Sequence, residues 1–461
     1  MVGALAKALA AAGHQTGVVT PLYSGIRERF PKLRQLDWQM KLPMGSLSVS
    51  AEVYVLHPQP RLTCYFIQQP HYYARKSLYQ TNGEDYPDNP ERFIFLSKAV
   101  AHLARYLPWQ PELVHVHDWQ VGLTPLLIRH QEWREGWGRA PKTCLTLHNL
   151  AYQGACPAVN YQFTNLPWDY FHIEGAEFFG QLNFVKAGIS FADEITTVSP
   201  RYAREIQTEE FGAGLDGLLR RREDAVIGIL NGVDYTEWNT THNPNLKHTY
   251  NLRNLKGKTA NKKELQKYLG LPVSAKTPMF GNIGRLVEQK GIDLLIPALE
   301  SVLTEPIQFV SFGAGHSKFE AALSDLARRF PDKVAVRLGY EEGLPHQIEA
   351  GCDFYLMPSR FEPCGLNQLY SLHYGTIPIV RSVGGLDDSV IDLREDPIRA
   401  NGIKFSAYSV PALAQAIRKA LVLFEVPTLM HHLRQNGMQT QFSWKVTAEK
   451  YLAVYQKVLD S

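Results

Sequence analysis

The stretch from Phe354 to Leu369 leaves a chain few ways to fold. Phe354 to Met357 is a short apolar run, Pro358, Pro363 and Gly365 forbid its continuation, and Leu366, Leu369, Tyr370, Leu372 and Tyr374 resume at helical spacing. A buried strand therefore ends in a tight loop that opens a helix. Arg360, Glu362 and the N–H groups around Cys364, Gly365 and Leu366 arrive at a helix N-terminus, where unpaired donors and the dipole favour an anion. Glu362 does not suit that client: a carboxylate repels phosphate, and a sugar hydroxyl or a developing cation fits it better. Alone, the segment also matches an ordinary crossover with a solvated glutamate.

Further loops repeat the arrangement. Met279 to Gly284 reads as a second buried strand and Ile292, Leu294, Leu295, Ala298 and Leu299 as a helix, with Arg285 to Gly291 between them. Arg285 offers a planar fork and Lys290 a mobile point charge, a pair that suits two phosphoryl groups better than one; the plainer account has one cation in solvent and the other neutralising Glu288. Ile307 to Gly315 supplies another strand and loop, and Val334 to Tyr340 a fourth strand whose last residue, Tyr340, is placed to stack on a base or to pack at an edge. Two such loops in one half, one cationic and one rich in free N–H groups, fit a nucleoside diphosphate held outside the carboxyl ends of a parallel sheet.

The first half carries different chemistry. Leu113 to His117 runs into Asp118-Trp119, and Lys142 to Leu147 into His148-Asn149. These loop ends offer neutral and acidic hydrogen-bonding groups, which suit a sugar. The same residues could satisfy one another at the top of a sheet, or, since alternation puts His115 and His117 on one face, take part with His148 and Asp118 in a metal cluster. No further Cys or His stands at ligand spacing.

At 461 residues, 45% hydrophobic and 20% charged, the chain can build two sizeable cores. A net charge of +3 without a basic block gives no footing for nucleic acid, and no apolar run is long enough to span a bilayer. Five widely spaced cysteines argue for a reducing compartment and so for the cytoplasm. Met1 to Ala12 lacks a basic leader and reads as an amphipathic helix; the first domain runs to Ile229, Asn231-Gly232 marks a crossover, Asn243 to Lys263 is a polar connection, and Ser443 to Leu459 is a final helix.

Taken in order, His117-Asp118-Trp119, Thr146 to Gly154, Asn231 to Asp234, Arg285 to Gly291 and Pro358 to Gln368 make the chain resemble bacterial glycogen synthases and plant starch synthases, nearly end to end. The resemblance implies an α/β chain of the GT-B fold, two Rossmann-like domains facing a cleft. It assigns 1–229 to an acceptor-side domain, 230–442 to a nucleotide-sugar-binding domain and 443–461 to a helix returning to the first. It implies a hexosyltransferase moving glucose from ADP-glucose, or in some members UDP-glucose, to the non-reducing end of an α-1,4-glucan with retention, using neither metal nor cofactor. Matched position by position, Arg285 and Lys290 correspond to the diphosphate-binding pair, Tyr340 to the base-stacking aromatic, Cys364, Gly365 and Leu366 to the phosphate-binding backbone, Glu362 to the essential carboxylate, and His148 and Asp118 to residues positioning donor glucose and acceptor end. Related transferases carry a second Glu where Tyr370 stands, which favours the glycogen and starch synthases over sucrose- and lipid-directed relatives. Family members also begin with a strand and a Lys-Thr-Gly-Gly-Leu type loop before the helix that here starts at Met1, and their lack makes a glucan-binding pseudoenzyme the alternative expectation.

Overall fold

The computed structural model describes residues 1–81 and 83–461, and the chain divides into two compact units. The first comprises Met1–Val198, Ala203–Ile229 and Trp444–Ser461; the second comprises Ser199–Tyr202 and Leu230–Ser443.

In the first unit, helix α1 (Val2–Ala11) buries Leu5, Ala6, Leu9 and Ala10, a spacing that keeps one face apolar. Strands β1 (Thr16–Pro21), β2 (Arg34–Met44), β3 (Leu47–Gln59) and β4 (Leu62–Gln68) form a sheet of order β1-β4-β3-β2, parallel only between β1 and β4. The antiparallel part is not evident as apolar runs in the sequence. Its long strands are half exposed, so their side chains alternate where buried parallel strands read as continuous apolar segments. A second sheet, β8-β7-β6-β5, is parallel throughout and joins β5 (Leu113–His117), β6 (Lys142–Leu147), β7 (Glu194–Thr197) and β8 (Val226–Gly228). The C-terminal helix Trp444–Leu459 packs Ala448, Tyr451, Val454 and Val458 against Leu5, Leu9 and Ile229.

The second unit is built on six parallel strands: β9 (Met279–Ile283), β10 (Gln308–Gly313), β11 (Val334–Leu338), β12 (Phe354–Met357), β13 (Ile377–Arg381) and β14 (Ile403–Phe405). Their order, β11-β10-β9-β12-β13-β14, runs one way from β9 and the other way from β12, which makes the boundary between these two strands the topological switch point. Apart from the exposed end of the edge strand β11, they are mainly apolar and buried because helices cover both faces. Helices used below are α2 (Lys256–Leu269), α3 (Ile292–Glu300), α4 (Leu344–Gly351), α5 (Asn367–Tyr374), α6 (Gly384–Ser389) and α7 (Pro427–Gln439). Helix α2 corrects the reading of Asn243 to Lys263 as a polar connection. Its buried face is itself polar, with Lys258, Asn261, Lys262 and Gln266 beside Leu265 and Leu269, so no apolar periodicity announces it.

Candidate active site

The two loops singled out in the second half leave the carboxyl ends of β9 and β12, the two strands flanking the switch point. Their backbones touch. Gly291 stands at φ 71° with its α-hydrogen against the Pro358 carbonyl; a Cβ there would lie 2.1 Å from that oxygen, so only glycine fits on both counts. Arg360 N–H donates to the Gln289 carbonyl at 2.9 Å and ties the loops again.

Within this junction Lys290 Nζ lies 2.6 Å from Glu362 Oε2, and Ser359 Oγ donates to the same oxygen at 3.1 Å. The Glu362 side chain is 6% exposed and that of Lys290 26%, so the carboxylate is the buried member and the amine its solvent-side cover. One of the accounts read from the sequence is replaced: Glu288 is neutralised by Lys318 at 2.7 Å and not by Lys290, which pairs with the buried Glu362. Arg285 is exposed and donates to Gln289 Oε1 at 3.2 Å, leaving most of its fork open. Arg360, expected at the anion, turns to Asp293 at 3.8 Å and covers the Tyr408 ring.

Beyond Glu362, the chain reaches Gly365 at φ 69° and enters α5 at Asn367. The N–H groups of Cys364, Gly365 and Leu366 have no acceptor among the described residues, while Gln368 Nε2 donates to the carbonyls of Cys364 and Gly365 at 2.9 and 3.1 Å. Carbonyls tied back in this way leave the N–H edges outward, as an anion requires. Helix α6 holds the loop from behind: Gly385 N–H donates to the carbonyls of Glu362 and Pro363, each at 3.1 Å, and a Cβ on Gly385 would meet the Cys364 carbonyl at 2.1 Å. Ser359 and Gly385 escaped the sequence reading. The Gly384-Gly385 pair after β13 was the available signal, since paired glycines entering a helix mark close backbone approach. Tyr340, beyond β11, is 89% exposed with its ring bare.

In the first unit, Asp118 follows β5 at φ 58° and ψ −169°, a strained conformation outside the left-handed helical well and one that residues other than glycine seldom adopt. Its Oδ1 accepts the His148 N–H at 2.7 Å, so the carboxylate fixes the loop after β6. His148 Nε2 pairs with His117 Nδ1 at 3.1 Å, and its Nδ1 is buried without a partner among the described residues. A buried polar atom left unmatched costs stability unless a ligand completes it. His115 stacks on His117 at 4.1 Å between centroids and is engaged with Tyr455 at 2.7 Å and Thr146 at 2.6 Å. Burial holds all three imidazoles below their ordinary pKa, His115 to about 3, and therefore neutral. Among the described residues no group of three His, Cys, Asp or Glu could hold a metal ion.

Residues 1–221 match the family of starch synthase catalytic domains, and residues 270–440 match the glycosyl transferases of group 1. A glycogen synthase of Anaeromyxobacter dehalogenans (strain 2CP-C) is 45% identical over 461 residues, spanning 99% of this chain and 95% of its own. One from Opitutus terrae is 41% identical over 459 residues with the same coverage. This chain belongs to the glycogen and starch synthase family. The solved catalytic domain of starch synthase IV from Arabidopsis thaliana, bound to ADP and acarbose, agrees: its TM-score is 0.90 at 31% identity, covering 100% of this chain and 95% of that one. A sucrose-phosphate synthase from Thermosynechococcus elongatus shares the fold, with a TM-score of 0.61 at 20% identity. As a glycogen and starch synthase family member the chain is a GT-B hexosyltransferase, and these likenesses lend nothing to the pseudoenzyme alternative. No helix among its described residues is long and apolar enough to cross a membrane.

Proposed function

We propose that the chain moves glucose from ADP-glucose to the non-reducing end of an α-1,4-glucan, with retention at the anomeric carbon. The observation that carries this reading is a buried carboxylate, Glu362, capped by a movable cation, Lys290, at the switch point of a parallel sheet. Departure of the diphosphate leaves negative charge on phosphate and oxocarbenium character on glucose, and the junction holds groups of both signs. Arg285, Lys290 and the N–H groups of Cys364, Gly365 and Leu366 take the phosphates. Removal of one such donor typically costs on the order of 10² to 10³ in rate.

Once a diphosphate draws Lys290 away, Glu362 is left with only Ser359 and turns its charge on the sugar. Tyr340 stacks on the base. His148 holds the donor sugar through Nδ1, with His117 behind its other nitrogen and Asp118 fixing its backbone. Asp118 is thereby a positioning residue in this reading. ADP is favoured over UDP by the starch synthase IV likeness, whose structure holds ADP and acarbose. Five free cysteines among the described residues suit a reducing compartment, and we place the reaction in the cytoplasm.

The decisive measurement is transfer of radiolabelled glucose from ADP-glucose and from UDP-glucose to glycogen. Efficient labelling from ADP-glucose is expected; labelling from UDP-glucose alone would reverse the donor assignment, and none from either would overturn the reading.

A further inference from the structure

Two aromatic rings stand almost bare among the described residues, Tyr340 at 89% exposure and Phe179 at 86%. Tyr340 is assigned to the donor base in the proposed reaction; Phe179 has no assignment. It sits at the tip of a hairpin whose strands, Glu177–Phe178 and Gln181–Asn183, pair Glu177 with Leu182 and Phe178 with Gln181. The turn between them, Phe179-Gly180, has φ 49° and 75°. Positive φ at both positions is the pattern of a type I′ turn, which strongly prefers Asn-Gly. A bulky side chain there crowds its own backbone, and Phe179 is the only aromatic residue at positive φ among the described residues.

The surroundings fix the turn and leave the ring outside. Gly180 N–H donates to Glu177 Oε1 at 2.7 Å, and Lys186, 4% exposed, donates to the carbonyls of Ile173 and Glu177. Phe178 lies against Gly214, where a Cβ would come within 3.0 Å of its ring, and Phe179 meets Phe178 edge-on at 4.6 Å between centroids. The hairpin is built on the loop that begins at His148. Ala155–Pro157, further along that loop, pairs with Gln181–Asn183, and Asn183 Nδ2 donates to Gln153 Oε1 at 2.7 Å. Gln153 in turn donates to the Ala213 carbonyl at 3.0 Å, next to Gly214. Backbone strain of this kind persists only where the surrounding structure over-determines it, and it gathers where ligands are held.

We propose that Phe179 is a stacking platform for the α-1,4-glucan acceptor, a binding residue displayed by the loop layer that carries His148. The inference rests on the proposed transfer to a glucan. A glucosyl unit presents a face of C–H groups that covers an aromatic ring, and a neutral polymer asks for no ion at such a contact. Asn, the residue the turn prefers, offers no such face; the chain keeps the aromatic against its own local geometry.

The test sets stability against glucan affinity. Phe179→Asn should raise the thermal midpoint, because the turn gains its preferred residue, while weakening maltoheptaose about fivefold. The weakening is read twice: as the KM for maltoheptaose in glucosyl transfer and, independently of turnover, as lost retardation in native gels containing glycogen. The KM for ADP-glucose should not move, and Phe179→Tyr, which keeps the ring, should match the wild type in both readings. Unchanged glucan affinity in Phe179→Asn, a lower thermal midpoint, or an equal loss for ADP-glucose would each overturn the proposal, as would a wild-type chain that glycogen does not retard. Absence of transfer from either nucleotide sugar would count against the proposed reaction, while the gel, run with Phe179→Asn beside the wild type, would still decide the ring.

Discussion

Lys290 Nζ meets Glu362 Oε2 at 2.6 Å across 72 residues of sequence, joining the two central loops of the second unit through one ion pair. Any ligand that claims the amine must release the carboxylate. In the proposed reaction a donor diphosphate does both at once.

Glu362→Gln keeps the shape and removes the charge. Glucosyl transfer should fall by at least about 10²-fold, whereas ADP should bind as well as before or better, since Lys290 no longer has an anionic rival. Calorimetry with ADP beside a transfer assay checks this; lost nucleotide binding would assign the carboxylate to folding of the loop.

Lys290→Ala separates the phosphates from the base. ADP affinity should drop about tenfold or more and AMP affinity by much less, as expected for a point charge on the second phosphoryl group. The variant also leaves Glu362 buried with only a hydroxyl partner, so its thermal midpoint should fall. Equal losses for ADP and AMP would remove Lys290 from the diphosphate.

Cysteine reactivity should follow burial. Burial pushes the thiols of Cys364 and Cys156 up to about 12 and those of Cys144 and Cys352 well above the ordinary range; it raises Cys64 as well, but that thiol alone belongs to a partly exposed residue. In the folded protein a disulfide reagent at pH 8 should modify one thiol quickly, and Cys64→Ser should remove that reaction. Cys364→Ser should bind ADP normally, because the phosphate contact assigned there belongs to the backbone.

The stacked imidazoles set an acid limit. Burial is the first cause of each depression, aided at His117 by the neighbouring His115 and His148, so the folded state binds fewer protons than the unfolded one below about pH 6.5. Their stabilising contribution is complete above the unfolded value and is lost as pH falls toward the folded values. One such histidine tilts stability by about 1.4 kcal/mol per pH unit in that window. Denaturant unfolding between pH 4.5 and 7 should show a steep decline, and His117→Asn should lessen the slope by about one proton.

Four of the six strands of the second unit, β9 to β12, could be read from the sequence because they are parallel strands of mainly apolar residues followed by Gly or Pro. Glu362 and Lys290 were legible as chemistry, but their pairing was not: nothing in either loop records that β9 and β12 lie side by side where the strand order reverses. The hydrogen bond from the His148 N–H to Asp118 was not legible either, since that partner is fixed only by the pairing of β5 with β6. The cluster of Lys262 and Arg434 on Asp353 lay out of reach for the same reason. Lys262, Asp353 and Arg434 stand in separate segments, and helix α2, which carries the first, hides its buried face in polar residues.

The contact of Gly291 with the Pro358 carbonyl makes the two donor loops a single heritable piece. A loop exchanged alone, to retune the donor, would meet a backbone shaped for its former neighbour. Grafts intended to alter nucleotide choice should therefore carry Gly284 to Gly291 and Pro358 to Leu366 together, and evolution within such a scaffold must vary them as a pair.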